Sequence, residues 1–399
     1  MLNFCPMTKL VLFYNSITEI PTETWDELNC ASNLYFSPSY LISIEKNNPQ
    51  ISFFYLVLID DTLKPIAFSY VQIIDFKIKK HPIAANNELE KTKSFLRKIL
   101  FPEEKPFKIL VCGNTFVSGE HGVFIKPGHD EKKAIKALTK GILYEVNSNR
   151  KLNKDIRLFL LKDFMNESLS FTNELKELNY SSFNVEPNMT MNIQGKWLHF
   201  DDYLASMKTK FRVKARKALK QSSEIYVKEV SLKNIERQLP NMTLLYQKVA
   251  EKASFNFGDF NLETYRTLKE NLGEKYILKT YWLDDKMVGF ISGILNEKSL
   301  DAHFVGIDYA LNREYAIYQK MLYDYISIGI KNKVKIINFG RTASEIKSSV
   351  GAIPKALTIY IRHKRTLKNK LLKLFLQQIA PTPFNQKHPF KTSQKDENS

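Results

Sequence analysis

Apolar residues alternate with polar ones in several short runs of this chain and recur at three- and four-residue spacing in others, so strands and amphipathic helices interleave along it. In the first half, residues 9–14, 52–58 and 65–74 read as strands, the last two joined by the turn Asp60-Asp61, with short helices over 23–29 and 39–46. A strand over 107–112, a helix over 131–147 and a strand over 156–161 follow. The junction falls at 190–200, where a strand-like run ends. From 202 to 221, Leu204, Met207, Phe211, Ala215, Ala218 and Leu219 share one helical face. Lys208, Arg212, Arg216 and Lys220 line up beside that face, with Lys210, Lys214 and Lys217 on the outside. Helices over 232–252 and 262–272 lead to three strands in close succession, 276–283, 287–295 and 299–307, joined by Asp284-Asp285-Lys286 and Asn296-Glu297-Lys298. A helix over 314–331, a strand over 334–339, a helix over 343–350 and a strand over 356–362 complete the pattern. The fold class is α/β (α+β) with antiparallel starts to both halves.

Length and charge sharpen this picture. A chain of 399 residues exceeds one ordinary core, and two domains are expected. Lys and Arg number 59 against 42 Asp and Glu, a formal charge of +17, which favours an anionic partner: nucleic acid, an acidic membrane surface or a phosphorylated donor. Cys5, Cys30 and Cys112 are too scattered for a disulfide framework or a zinc ribbon and read as buried thiols in a reducing compartment. No run is long and apolar enough for a membrane span, so a cytoplasmic protein is expected, with peripheral contact at the inner membrane face open to it. That contact would come from residues 363–379, where Lys364, Arg365, Lys368, Lys370 and Lys373 flank Leu367, Leu371, Leu374 and Phe375 at helical spacing. Packing of the same stripe on the protein body is the equal alternative, and beyond Pro381 the polar tail reads as disordered. No metal-ligand cluster and no Rossmann or P-loop motif is present.

One stretch is more distinctive. The run Asn338-Phe339-Gly340-Arg341-Thr342-Ala343-Ser344-Glu345-Ile346-Lys347, ending in Gly351-Ala352-Ile353-Pro354, resembles the D-F-G-R-[ST], Lys, G-[AT]-x-P signature of FemAB-like domains in the Gcn5-related N-acetyltransferase (GNAT) superfamily. Asn338 stands where that signature has an acid. Tyr203-Leu204 with Lys210-Phe211-Arg212, Lys214, Arg216, Lys217 and Lys220 is similar to the basic helix that opens the same domain, and the resemblance spans roughly residues 200–362. It implies tandem GNAT-like folds, each a mixed, largely antiparallel sheet flanked by helices: a degenerate copy over 1–195, with Cys112-Gly113-Asn114 and Gly119-Glu120-His121-Gly122 after a strand, an acyltransferase copy over 196–365, and a basic helix and tail over 366–399. It also implies N-acyl transfer to an amino group of a sugar, lipid or peptidoglycan precursor. No tightly bound cofactor is expected, and the donor substrate is an acyl-CoA or, as in the FemAB branch, an aminoacyl-tRNA. A catalytically silent RNA- or membrane-binding scaffold is the alternative from another class. Conventional GNAT enzymes cradle the CoA pyrophosphate in a glycine-rich loop, whereas residues 308–315 here hold no glycine.

Amide formation needs hydrogen-bond donors for the donor carbonyl, a neutral amine and a group to accept its proton. Asp301 and His303 share a face of the strand over 299–307, about 7 Å apart, and read as a proton relay or as a satisfied polar pair. Arg341, at a strand end, reads as a ligand-binding guanidinium or as the partner of Glu345 or Asp308. Arg212, Lys214, Arg216 and Lys217 are the phosphate-facing candidates, against an ordinary solvated face. Asp308, Tyr318 and Lys347 complete the donor-side set, although core packing suits Tyr318 better.

Overall fold

The computed structural model of the chain describes residues 10–76, 107–252, 260–377 and 381–391. Cys5, Lys9 and the last residues of the polar tail lie outside the described residues. The chain divides into two compact units, the first holding residues up to Val185 together with 356–381, the second holding 186–253, 261–355 and the segment from Thr382 on.

The first unit carries β1 (Val11–Tyr14), β2 (Ser52–Ile59), β3 (Pro65–Phe76), β4 (Phe107–Cys112), β5 (Val123–Ile125), β6 (Ile156–Phe164) and β7 (Ser181–Asn184). The second carries β8 (Asn188–Asn192), β9 (Tyr226–Glu229), β10 (Tyr276–Leu283), β11 (Lys286–Asn296), β12 (Ser299–Ile307), β13 (Ile336–Asn338) and β14 (Ile353–Lys355). A last strand, β15 (Thr358–His363), returns to the first sheet, whose order is β1-β2-β3-β4-β6-β15-β7 with β5 on β3. The second sheet runs β14-β8-β13-β12-β11-β10-β9. Each sheet has a single parallel pair among the described strands, β4 with β6 and β12 with β13.

The strand exchange is where the observed units depart from a simple cut at residue 195. β7 and β8 are separated by only a few residues, yet β7 pairs with β15 in the first sheet and β8 with β13 and β14 in the second. The short strands β8 and β15 each lie one in from the edge of a sheet, with a partner on either side, and are largely buried.

Each sheet is covered by helices whose apolar stripes match their burial. In the first unit Ala134, Ile135, Leu138, Ile142 and Val146 of the helix Glu131–Ser148 are buried in the core. In the second, Ile317, Met321, Leu322, Tyr325 and Ile326 of the helix Ile317–Lys331 are buried, and Gly329 lets Ile337 of β13 pack close. Cys30 and Cys112 are buried free thiols, pushed up to about 12 by that burial.

Two expectations need correction. The single helix over 202–221 is broken into Phe200–Ser206 and Thr209–Gln221, because Met207 and Lys208 turn extended to pair with the tail. The tail itself is ordered over 382–391: Met207 bridges Phe390, the Lys208 amide donates to Pro389 O at 2.7 Å, and Lys387 pairs with Glu345 at 2.8 Å. The Phe390 ring packs at 5.4 Å from Trp197 and 5.9 Å from Tyr203 and lies over Gly351, where φ is 112° and a Cβ would come within 2.4 Å of the ring. A polar composition concealed one well-placed aromatic.

Candidate active site

β12 is nine residues long, but only Ser299, Leu300 and Asp301 pair with β13, opposite Ile336, Ile337 and Asn338. Beyond that point β13 gives way to the loop 339–343 while β12 runs on to Ile307. Ala302, His303, Phe304 and Val305 are accordingly part-exposed, although the neighbouring strand β11 is buried almost throughout. Past Asp301 the sheet therefore splits between β12 and β13, while the helix Leu232–Lys252 packs along β12.

A bulge shapes this stretch of β12. On β11, Ile291 faces Val305 and Gly293 faces Ala302, so Ser292 stands opposite both His303 and Phe304. The bulge takes Phe304 out of the ladder, and Ser292 Oγ replaces the lost bonds, accepting from Phe304 N at 3.0 Å and donating to Phe304 O at 2.9 Å. Small residues within a strand, Gly289, Ser292 and Gly293, are the sequence signal for such a close approach. Sequence reasoning had not used it.

Asp301 and His303 both line this region, each anchored by its own neighbours. Asp301 Oδ1 accepts from Asn338 Nδ2 and from Ser299 Oγ at 3.3 Å. Asn338 Oδ1 in turn lies 3.5 Å from Asn188 Nδ2 of β8. This explains the departure at position 338: an amide there donates to Asp301, whereas a carboxylate would set two like charges side by side. His303 Nδ1 lies 3.4 Å from Ser292 Oγ, and the ring is 4.3 Å from Phe304 and 6.3 Å from Tyr265. That enclosure holds the imidazole down at about 3, so His303 is neutral near pH 7 although part of its surface is exposed.

Arg341 is presented by a strained loop. Gly340, Thr342 and Ala343 all have positive φ, at 74°, 67° and 49°, and for a β-branched threonine this is a costly conformation. Two anchors hold the loop. Met189 of β8 exchanges bonds with it, Met189 N to Gly340 O at 3.1 Å and Phe339 N to Met189 O at 2.8 Å. Lys347, buried on the short helix Ser344–Ser349, donates to Gly340 O at 3.2 Å and to Arg341 O at 2.7 Å. Burial lowers its ammonium pKa to about 7. Lys347 thus faces the backbone of the Arg341 loop. Glu345 pairs with Lys387 at 2.8 Å and Asp308 with Lys286 at 2.8 Å.

The far end of β12 is closed by the chain's own groups. Asp308 caps the helix Tyr309–Tyr315 by accepting from Ala310 N at 3.1 Å. Burial raises its pKa, but Lys286 and that amide outweigh it and keep the carboxyl below its usual range. Tyr318 N donates to Asn312 Oδ1 at 2.8 Å, and its side chain packs against the core cluster, with burial and Tyr309 holding the phenol above its usual range. The basic helix Thr209–Gln221 packs against the helices Tyr309–Tyr315 and Ile317–Lys331, and Gln221 Nε2 donates to Glu314 O at 3.3 Å near the end of the first. Lys214, Arg216 and Lys217 on it are exposed and form no ion pair among the described residues; Arg212 is half-buried, with Nη1 3.4 Å from Met207 O.

The first unit shows no such split among the described residues. β4 is paired with β6 from Lys108 to Cys112. The loop after it, Gly113 to Gly122, is pinned by the buried Lys162, which donates to Asn114 O at 2.8 Å, Val117 O at 3.0 Å and Asp163 Oδ2 at 2.5 Å. Glu120 accepts from Met165 N and Ser168 Oγ, and burial takes His121 down to about 3.

Among solved structures, FemX matches 89% of this chain and 97% of its own at 10% identity, with a TM-score of 0.52. L-PGS from Bacillus licheniformis matches 89% and 96% at 9% identity, with a TM-score of 0.50. The chain has a FemAB-like tandem GNAT fold. A tandem GNAT protein from the clavulanic acid biosynthesis pathway is also similar, at 8% identity and a TM-score of 0.49 over 88% of this chain and 98% of its own. Neither a protein-family model nor a curated protein matches the sequence. The split between strands belongs to the second unit, whereas in the first β4 and β6 stay paired among the described residues. Among the described residues no group of His, Cys, Asp and Glu could hold a metal ion, and no helix is long and apolar enough to cross a membrane. The tail helix Thr366–Leu376 divides its apolar stripe, burying Leu372 and Leu376 and exposing Leu367 and Leu374.

Proposed function

We propose that the second unit transfers an acyl group to an amino group of a cell-envelope precursor, a sugar, lipid or peptidoglycan intermediate, and that the donor is an aminoacyl-tRNA. The observation that carries the donor choice is the far end of β12. A CoA pyrophosphate bound in the GNAT manner needs free amides at that helix start. Here Ala310 N is taken by Asp308 and Tyr318 N by Asn312, and the Asp308 carboxylate adds a negative charge. The exposed cations of the neighbouring basic helix offer the sequence-independent phosphate contacts an RNA donor requires.

In this reading the acceptor amine enters the split neutral and attacks the ester carbonyl of the aminoacyl group. The new C–N bond forms as the C–O bond to the tRNA ribose breaks. The amine proton passes to the departing ribose oxygen, giving an amide and a free hydroxyl. His303, neutral near pH 7, accepts a hydrogen bond from the attacking amine and is too weak a base to keep its proton. Asp301 holds the point of the split through Asn338. Arg341, fixed by Lys347 and Met189, bears on the phosphate or on the charge developing at the carbonyl oxygen.

A filter-binding comparison tests the donor. Charged tRNA is expected to bind at low salt and to weaken steeply as salt rises, and the triple change Lys214→Glu, Arg216→Glu, Lys217→Glu is expected to reduce affinity at least about tenfold without lowering the melting temperature. Acyl-CoA binding that stabilises the chain, with no retention of charged tRNA, would replace this reading with a thioester-dependent one.

A further inference from the structure

A second site is built into the first unit, on the side of its sheet where β6 begins and β15 ends. Lys154, Arg157, His363, Lys364, Arg365 and Lys368, together with Ile156, line a cavity of about 230 Å³. Six of these seven side chains are basic, and no acidic residue lines the cavity among the described residues. Their crowding is felt by the groups themselves. Burial first, then Lys368, Arg365 and Arg157, takes His363 down to about 4, and burial followed by neighbouring arginines lowers Lys364 and Lys368. Like charges gathered this closely favour the arrival of an anion.

His363 supplies an independent indication. Its side chain is 3% exposed, and Nδ1 accepts from Arg365 N at 2.9 Å, which places the ring proton on Nε2. That buried Nε2–H has no hydrogen-bond partner among the described residues. A buried donor left unmet costs about 1–3 kcal/mol, which an anionic oxygen reaching it from the adjoining cationic cavity would recover. The tail helix Thr366–Leu376 begins beside the cavity with no side-chain cap, which sets the positive end of its dipole there. Lys364 Nζ is tethered to Asn153, and the Arg157 guanidinium rests 5.4 Å from the Phe107 ring, which orders two of the cations in advance.

We propose that this cavity binds the phosphoryl group of a small phosphorylated ligand, a phosphate monoester or diphosphate, with His363 Nε2 and the start of the tail helix as neutral donors and Lys154, Arg157, Arg365 and Lys368 as charged ones. The site lies wholly in the first unit and does not depend on which donor the second unit uses. Binding would also fasten the end of β15 to the start of β6.

The test titrates the full-length protein with inorganic phosphate and with pyrophosphate at about 0.15 M salt, where loose surface attraction is screened. Heat of binding and the nitrogen resonances of ¹⁵N-labelled histidine are followed together. Saturable binding is expected, with a shift of the His363 Nε2 signal and a loss of affinity of about tenfold or more in the double variant Lys154→Gln, Arg365→Gln. Lys154 and Arg365 are exposed, so that variant should keep the wild-type melting temperature, and melting is checked beside it. Absence of saturable binding, or binding that the double variant leaves intact, overturns the proposal. Binding of anionic phospholipid vesicles or RNA that the variant abolishes, with no response to phosphate or pyrophosphate, also overturns it and assigns the surface to a macromolecule.

Discussion

Lys347 shows how much one buried side chain can carry. Its ammonium holds the carbonyls of Gly340 and Arg341 at the point where three residues adopt positive φ, so it offsets strain that the loop stores to present Arg341. Replacing it as Lys347→Met is expected to cost about 1–3 kcal/mol, read by chemical denaturation, because two carbonyls lose their donor. The substitution also has a pH signature. The folded pKa of about 7 lies below that of an unfolded lysine, so between these values the unfolded chain binds the extra proton and stability rises with pH. The wild type should therefore gain stability over Lys347→Met as pH climbs from about 7 toward 10, and equal slopes would contradict a buried, largely neutral lysine. The loop that carries Arg341 and its anchor Lys347 is legible in the sequence as one short motif, whereas the bonds Lys347 makes to that loop are not. Asn338 was visible only as a departure, and its reason, the bond to Asp301, needed the pairing of β12 with β13. Ser292 escaped notice because its role exists only opposite a bulge on another strand.

At the scale of elements, β10, β12 and the helix Leu232–Lys252 fall where alternation and helical spacing put them, since long periodic runs bounded by turns leave few alternatives. The short strands β5, β7, β9 and β14 have too few residues to show a period. The break at Met207 was hidden because the apolar face continues across it, and only pairing with Phe390, far along the chain, reveals it. The exchange of β8 and β15 is likewise a long-range choice that local pattern does not encode. It has a measurable consequence. β15 lies between β6 and β7, so a fragment of residues 1–185 lacks an interior strand of its own sheet. That fragment is expected to show little cooperative melting by circular dichroism and to gain it when a peptide covering 356–377 is added. A fragment that melts cooperatively alone would show the exchanged strand to be dispensable.

Across the whole molecule, the two sheets differ at the one parallel strand pair each holds among the described strands. In the first, the strand pair β4 and β6 stays together and Lys162 pins the following loop; in the second, β12 parts from β13 and leaves Asp301, His303 and Arg341 beside the split. The positive charge is also clustered, part of it on the exposed face of the basic helix and part around the cavity at His363. Transfer of a labelled aminoacyl group from charged tRNA to an amine-bearing envelope precursor, compared between wild type and Arg341→Ala, tests the site at the split most directly. The expected result is label in a base-stable amide, with kcat/KM reduced about a hundredfold or more by the substitution. Label that stays on the tRNA while a CoA thioester acylates the same acceptor, or an Arg341→Ala variant as active as wild type, would contradict it.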